Sequence, residues 1–171
     1  MASELHVDAI KHSGGTSAMT IDSTGRVLTP ARPFFHVYVD NGGTNPSMNT
    51  LNIIPFDGVV SNIGGHFNAT NSGNNYSFTA PIAGIYQFNW NLSFYNVTVG
   101  NYMRQRVFVN GASYQFHEYK DSQTTGDQNV STSFAILLSA NDYVQFFAQA
   151  QNAFNLSAGT FWNFCTGYLV G

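Results

Sequence analysis

Residues 84–94 read GIYQFNWNLSF, and this stretch decides the fold. From Tyr86 onward, apolar and polar side chains alternate one by one. The apolar members are Tyr86, Phe88, Trp90, Leu92 and Phe94. Because successive side chains of a strand point to opposite faces, this period of two predicts a β-strand with one face on a core and the other exposed.

The residues around this strand predict further short strands separated by turns. Asn110-Gly111 suits the positive backbone φ of a tight hairpin turn. Residues 134–138 and 143–150 predict two more strands, and residues 162–170 predict the last one. No stretch has a sustained helical period. The predicted fold class is therefore all-β, a sandwich or jelly roll preceded by a short extended or hairpin segment.

Composition and charge exclude several classes of function. Charged residues make up 9% of the 171 residues, against about 25% in typical domains. The net charge is −3 and the six basic residues are scattered, so the sequence offers no basic stripe for nucleic acid. No apolar run approaches the roughly 20 residues that cross a bilayer, which argues against a membrane partner. A surface of neutral amides and hydroxyls tolerates close packing with other chains, which favours an assembly subunit.

Two prolines, Pro30 and Pro33, predict an extended connector that divides the chain. We expect residues 1–33 to form an anchoring or neck segment and residues 34–171 to form the main domain. About thirty residues cannot bury a core alone, so other chains are expected to order the first segment; a disordered tail is the alternative. The predicted anchoring residues are Leu5, Val7, Met19, Ile21 and Val27.

Spaced aromatic, Asn and Gly residues accompany the central strand on its N-terminal side. The spacing runs Phe56, five residues, Asn62, four residues, Phe67, ten residues, Phe78, five residues, and then residues 84–90. This pattern resembles the C1q signature of the C1q/TNF-type jelly roll, and residues 164–170 resemble the end of that domain. Two departures stand out. The segment between Phe67 and Phe78 has ten residues where the signature has six, and Trp90 stands where the family has Phe or Tyr.

The resemblance implies a compact homotrimer. Aromatic residues on both faces of the predicted last strand favour a sheet covered on both sides, as at a subunit interface; an overfilled core is the alternative. The residues assigned to the trimer interface or the core are Tyr86, Phe88, Trp90, Trp162, Phe164 and Tyr168.

Residues 15–30 read GTSAMTIDSTGRVLTP, which is similar to segments that precede the C-terminal domains of tail-fibre-like phage proteins. Residues 1–15 lack the apolar run of a secretory signal, which favours a virion protein made in the host cytoplasm. This resemblance implies a homotrimeric tail-fibre or spike-like subunit, attached to other virion proteins through residues 1–33. A capsid decoration protein is the first alternative, and a secreted C1q-like ligand or lectin is the second.

Residue patterns for catalysis and for cofactors are missing from the sequence. Glu118, Asp121 and Asp127 lie among Gly, Ser, Thr and Gln, where solvation keeps carboxylates from becoming the acid–base pair of a glycosidase. The five histidines lack the spacing of a zinc site. We therefore expect no enzyme and no cofactor. Calcium is the one ion with candidate ligands, Asp121, Asp127 and Asn129, although they lack the spacing of a calcium loop.

Loops rich in Asn, Gly, Ser and Tyr are the predicted contacts with a host glycan or protein, because amide and hydroxyl groups supply adaptable hydrogen bonds. The residues chosen to represent these loops are Asn71, Asn74, Tyr76, Tyr102 and Tyr119.

Overall fold

The computed structural model describes residues 6–48, 51–121 and 126–170. Within these ranges the chain forms sixteen β-strands, and the 3-10 turn at Asn41–Gly43 is the one helical element. The predicted all-β class is confirmed. The chain divides into two compact units, Met1–Arg32 and Pro33–Gly171.

The N-terminal unit contains a three-stranded antiparallel sheet in the order β1-β2-β3. Its strands are β1 (Ala9–Lys11), β2 (Ser17–Ile21) and β3 (Val27–Leu28). The Asp22 carboxylate organises the turn between β2 and β3. It accepts hydrogen bonds from the Thr24 hydroxyl and from the backbone N–H of Thr24 and Arg26, and it pairs with the Arg26 guanidinium at 2.7 Å. These donors, the Arg26 backbone N–H foremost, lower the pKa of Asp22 to about 2.

The second unit contains the remaining strands. They are β4 (Phe34–Tyr38), β5 (Ser47–Met48), β6 (Leu51–Ile53), β7 (Gly58–Ile63), β8 (Phe67–Asn68), β9 (Ser77–Thr79), β10 (Gly84–Val97), β11 (Tyr102–Val109), β12 (Ala112–Asp121), β13 (Gly126–Leu138), β14 (Tyr143–Ala150), β15 (Phe154–Leu156) and β16 (Phe164–Leu169).

These strands form two antiparallel sheets. The front sheet has the order β5-β15-β10-β16-β4-β7. In addition, β13 pairs with β10. The back sheet has the order β12-β11-β14-β9-β8, and β6 also pairs with β14. The hairpin predicted at Asn110-Gly111 is confirmed, since both residues have positive φ and join β11 to β12.

The core lies between the two sheets and is mainly aromatic. The five apolar positions of β10 predicted to face the core are each at most 1% exposed, which confirms that face assignment. Phe88 and Trp90 of the front sheet meet Phe146 of the back sheet with ring centroids 5.6 and 5.1 Å apart. Phe35 stacks on Phe78 at 5.2 Å. Such offset and edge-on pairs add about 0.5–1.5 kcal/mol each beyond the area they bury.

Two polar strands are longer than the sequence predicted. β13 covers Gly126–Leu138, whereas the alternation predicted only residues 134–138. β12 continues to Asp121, so Tyr119 lies on a strand and its predicted placement in a loop is wrong. Tyr102 was also predicted to lie in a loop, but it is the first residue of β11. In the first half of β13 the outward residues are polar and only Val130 is fully buried, which left no apolar period to recognise.

The last strand begins at Phe164, not at Trp162 as predicted. Asn163 explains the shift. Its side chain is buried and accepts a hydrogen bond from the Ser93 N–H at 2.7 Å, while its amide nitrogen donates to the Ser157 carbonyl. These hydrogen bonds hold the Asn163 side chain inside the domain at the start of β16. Trp162 precedes it, in an exposed segment outside the strand.

Gly167 is a position where the sandwich has no room for a side chain. It pairs with Phe88 on β10 and with Phe35 on β4. A Cβ at this position would lie 2.4 Å from Cε1 of Phe35 and 2.7 Å from Cδ1 of Phe88. Gly167→Ala is therefore expected to lower the free energy of unfolding by about 1–3 kcal/mol through overpacking, measured by urea denaturation at fixed chain concentration.

A double-mutant cycle checks the cause of this loss. Phe35→Leu removes ring atoms where the new methyl group would lie. The combined variant Gly167→Ala/Phe35→Leu should therefore lose less stability than the sum of the two single variants. Strict additivity, or an unchanged stability of Gly167→Ala, would contradict the packing account.

Candidate interaction surface

The outward face of the front sheet brings together residues from five strands. On β10 the residues that alternate with the buried ones point away from the core. The register places Asn89 beside Thr166 of β16 and Ser133 of β13, and Thr166 in turn beside His36 of β4. We call this surface the front face. It comprises Ser61, Phe34, His36, Tyr38, Phe164, Thr166, Tyr168, Ile85, Gln87, Asn89, Asn91, Ser131, Ser133, Ala135 and Leu137.

The front face is uncharged and partly apolar. None of its residues is Asp, Glu, Lys or Arg. Leu137 is 75% exposed, and Ile85 and Tyr168 are also exposed. The His36 and Phe164 rings meet edge to face at 6.1 Å. Exposed apolar side chains on an uncharged sheet face are typical of a protein–protein contact.

A row of polar side chains crosses the front face and is already hydrogen-bonded within the chain. The Ser133 hydroxyl donates to Asn89 Oδ1 at 2.7 Å, and the Ser131 hydroxyl donates to Asn91 Oδ1 at 2.5 Å. Gln87 Nε2 donates to Ser133 Oγ at 2.8 Å. Burying polar groups is costly only when they lose their partners. This row can therefore be covered by another chain at little cost.

A shallow groove of about 290 Å³ runs along this row. It is lined by Asn89, Asn91, Ser131, Ser133 and Phe164, with Trp90 and Thr132 at its floor. This volume lies at the lower limit of pockets that hold small molecules, about 300–1,000 Å³.

An exposed aromatic segment borders the front face. Phe161 is 86% exposed, and Trp162 beside it is also exposed. Asn91 Nδ2 donates to the Trp162 carbonyl at 2.5 Å, which ties this segment to β10. Sequence reasoning placed Trp162 with Phe164 and Tyr168. Phe164 and Tyr168 lie on the front face, and Trp162 lies in the segment that borders it. In contrast, Tyr86, Phe88 and Trp90 belong to the core of the single chain.

The predicted contact loops are only partly brought together. Asn71 and Asn74 are exposed, in a loop held by Asn68, whose Nδ2 donates to the carbonyls of Ser72 and Asn74 at 2.8 and 3.0 Å. Tyr76 is half-buried; desolvation, with a smaller contribution from Asp57, raises its pKa. Tyr102 lies on β11, where the Arg104 guanidinium covers its ring at 4.5 Å. The side chain of Tyr119 lies outside the described residues.

The candidate metal ligands do not form a described site. Asp127 and Asn129 lie two residues apart on β13, both exposed, and the side chain of Asp121 lies outside the described residues. In residues 6–48, 51–121 and 126–170, no group of three or more His, Cys, Asp or Glu residues could hold a metal ion. Calcium at these three residues stays a prediction.

Of the anchoring candidates, Met19, Ile21 and Val27 lie on the N-terminal sheet, Val7 precedes it, and Leu5 is outside the described residues. Cys165 lies in the core, where burial raises the pKa of its thiol well above the usual value. Among the helical segments that the structure describes, none is long and apolar enough to cross a membrane.

Comparisons with known proteins identify the fold of the second unit. The family model described as "C1q domain" matches residues 35–170. Murine APRIL is similar in structure, with a TM-score of 0.59 and 15% identity over 81% of this chain and 99% of that chain. The globular domain of zebrafish complement 1qA has a TM-score of 0.57 and 16% identity over 81% of this chain and 98% of that chain. Eiger TNF from S. frugiperda has a TM-score of 0.60 and 7% identity over 82% of this chain and 94% of that chain.

No curated protein sequence matches the chain. The C1q/TNF-like jelly roll inferred from the spaced residues around the central strand is confirmed by the family match and by the similar structures. The chain belongs to the C1q domain family.

Proposed function

We propose that this chain is a non-enzymatic, homotrimeric subunit on the surface of a virus particle, in the manner of a tail fibre or spike. In this role the C1q domain forms a knob that contacts the host surface. The N-terminal unit joins the knob to other proteins of the particle.

The uncharged front face carries the trimer part of the proposal. C1q/TNF-like relatives form trimers, and members of the family are generally ligands or structural proteins without catalytic activity. Residues close to a three-fold axis meet their own copies, and residues further out meet different residues of the next chain, so an uncharged face avoids both like-charge contacts and buried unpaired charges. Leu137, Tyr168 and Phe164 supply apolar contact, and the polar row around Asn89 keeps its hydrogen bonds when covered.

Two features support a place on a virus particle. Residues 15–30 are similar to segments that precede the C-terminal domains of tail-fibre-like phage proteins, and they lie in a compact unit of their own. The knob also exposes Asn71 and Asn74, whose amides provide donors and acceptors suited to host glycan or protein.

The test measures the molar mass of the protein in solution and its copy number on particles. Light scattering should give three times the chain mass. Quantitative mass spectrometry of purified particles should find the chain at a few trimers per particle. A copy number of scores to hundreds per particle would indicate a capsid decoration protein and not a tail fibre. If the chain were absent from particles and were released from a producing cell, both virion roles would be rejected in favour of a secreted C1q-like ligand or lectin.

Adhesion requires its own measurement. Purified knob is expected to bind host cells and to compete with particles for adsorption. Asn71→Ala/Asn74→Ala should weaken that competition, whereas Ser139→Ala, at an exposed turn outside the predicted contact loops, serves as the control. If the native knob neither binds cells nor slows adsorption, the host-contact role is lost even where the chain is found on particles.

A further inference from the structure

The outward face of the back sheet carries two of the six basic residues of the chain. Residues of β11 alternate between the core and this face, and Arg104 and Arg106 point away from the core. The register of β11 with β14 places Phe147 beside Arg106. We call the surface formed by Tyr102, Arg104, Arg106, Phe108, Gln145 and Phe147 the back face. It lies on the opposite side of the sandwich from the front face, so a trimer joined through the front face leaves it accessible.

The basic side chains of the back face lie against aromatic rings. The guanidinium carbon of Arg106 is 5.5 Å from the centroid of the Phe108 ring, and the ring centroids of Phe108 and Phe147 are 4.3 Å apart. Both rings are half-buried. A guanidinium over an aromatic face is attracted by the ring quadrupole. The back face therefore presents an ordered positive charge beside two aromatic rings.

Arg106 keeps the capacity to bind an anion. A guanidinium has five N–H donors. Its Nη2 donates to Ser113 Oγ at 2.9 Å, and its buried Nε has no hydrogen-bond partner among the described residues. The residues that flank it across the sheet are Phe116 and Phe147, neither of which carries a charge. In these half-buried and partly apolar surroundings, an ion pair is stronger than at a fully exposed site.

The back face is continuous with the loop assigned above to host contact. Gln145 lies opposite Phe108, and its Nε2 donates to the Asn75 carbonyl at 3.0 Å. Asn75 Nδ2 donates in turn to Asn71 Oδ1 at 3.1 Å. This loop belongs to the segment that is longer than in the C1q signature. The amide groups of the loop and the charge of Arg106 therefore belong to one surface.

The chemistry of this surface favours an acidic sugar polymer as the ligand. Amide groups match the donors and acceptors of sugar hydroxyls, and a guanidinium matches a carboxylate through two parallel hydrogen bonds. Aromatic rings offer apolar contact to the C–H face of a sugar ring. A protein partner instead needs an apolar centre within about 800 Å² of contact per side, whereas both rings of the back face are half-buried beside longer polar side chains.

We propose that the back face and the adjoining loop bind an acidic polysaccharide of the host surface. A carboxylate of the polymer pairs with Arg106, and its sugar rings lie on Phe108 and Phe147. The amides of Asn71 and Asn74 contact its hydroxyl groups. This inference rests on the proposed contact with the host and names the chemical class of the ligand.

Three carboxylated polysaccharides, polygalacturonate, alginate and hyaluronate, serve as probes for the purified full-length chain. Their carboxyl-reduced forms keep the sugar backbone and lose the charge. We expect the native trimer to bind at least one acidic polymer, and to bind its reduced form at least about 10-fold more weakly. Arg106→Gln should lose the same factor with the acidic polymer and little with the reduced one. Arg32→Gln removes an equal charge from the exposed connector and should bind like the native chain.

Arg106→Lys is a second variant at the same position. It keeps the charge without the planar fork, so its affinity should lie between those of the native chain and Arg106→Gln. Light scattering and circular dichroism check that each variant is a folded trimer. Equal losses for Arg106→Gln and Arg32→Gln would indicate general charge attraction and would overturn the site. Polyglutamate that competes as well as the polysaccharide would overturn the sugar polymer in favour of an acidic peptide.

The acidic ligand and the host-contact role fail separately. If no acidic polysaccharide binds while the knob binds host cells, the acidic ligand is overturned and the host-contact role stands. If the knob binds neither the polysaccharides nor the cells, the host-contact role is lost together with the ligand.

Discussion

Thr166→Arg is expected to convert the trimer to monomers at chain concentrations where the native protein is fully trimeric. Thr166 lies in the middle of the front face, between Asn89 and His36. The guanidinium group would then be buried at the interface, and the front face contains no Asp or Glu to pair with it. A buried charge without a partner costs several kcal/mol. We expect the dissociation constant to rise by at least about 100-fold, which corresponds to roughly 2.7 kcal/mol.

Thr79→Arg is the matched control for this experiment. Thr79 is also a half-buried strand threonine, but it lies on β9 of the back sheet, next to the buried Phe78 and opposite Tyr143. It therefore points away from the core on the other side of the sandwich. Sedimentation velocity should find the Thr79→Arg chain trimeric and the Thr166→Arg chain monomeric. If both remained trimeric, the front face would not be the interface.

The parts of the fold that were predictable from sequence are those where burial imposes a period. The alternation from Tyr86 to Phe94 identified β10 and its core face, because every second side chain had to be apolar. β13 pairs with the whole length of that strand, yet its first half was overlooked. Its outward positions there, such as Asn129 and Ser131, are polar and exposed, and a strand that buries few side chains has no apolar period.

The candidate site was harder to predict than the fold, because it depends on register. Ser133 reaches Asn89 across 44 residues of sequence, and Ser131 reaches Asn91 across 40. Nothing local to those serines indicates the pairing. Asn163 was missed for a similar reason, since its buried amide matters only through its hydrogen bonds to the Ser93 and Ser157 backbones. The aromatic members of the site, Trp162, Phe164 and Tyr168, could be predicted from the sequence because large aromatic side chains are candidates for a contact by residue type alone.

Trp90 is the residue whose truncation should cost the most stability within a single chain. It is 1% exposed, pairs with Cys165 and Thr132 on the neighbouring strands, and packs on Phe146. Removing a buried aromatic side chain to alanine costs about 3–5 kcal/mol through lost contacts and the cavity left behind. We therefore expect Trp90→Ala to lower the free energy of unfolding by at least 3 kcal/mol, measured by circular dichroism in urea at matched chain concentration.

Trp90→Phe distinguishes packing from hydrogen bonding as the source of that stability. Among the described residues, the buried indole Nε1 has no hydrogen-bond partner, so the N–H contributes no stabilising bond there and carries a desolvation cost of about 1–3 kcal/mol. Phenylalanine keeps the ring against Phe146, removes the unsatisfied donor, and is a residue that the C1q signature itself uses there. The gain from losing the donor offsets the smaller ring, so Trp90→Phe should stay within about 1 kcal/mol of the native protein. Equal losses for both variants would mean that the indole nitrogen has a partner and that packing is secondary. No loss for either would place this face of β10 away from the core.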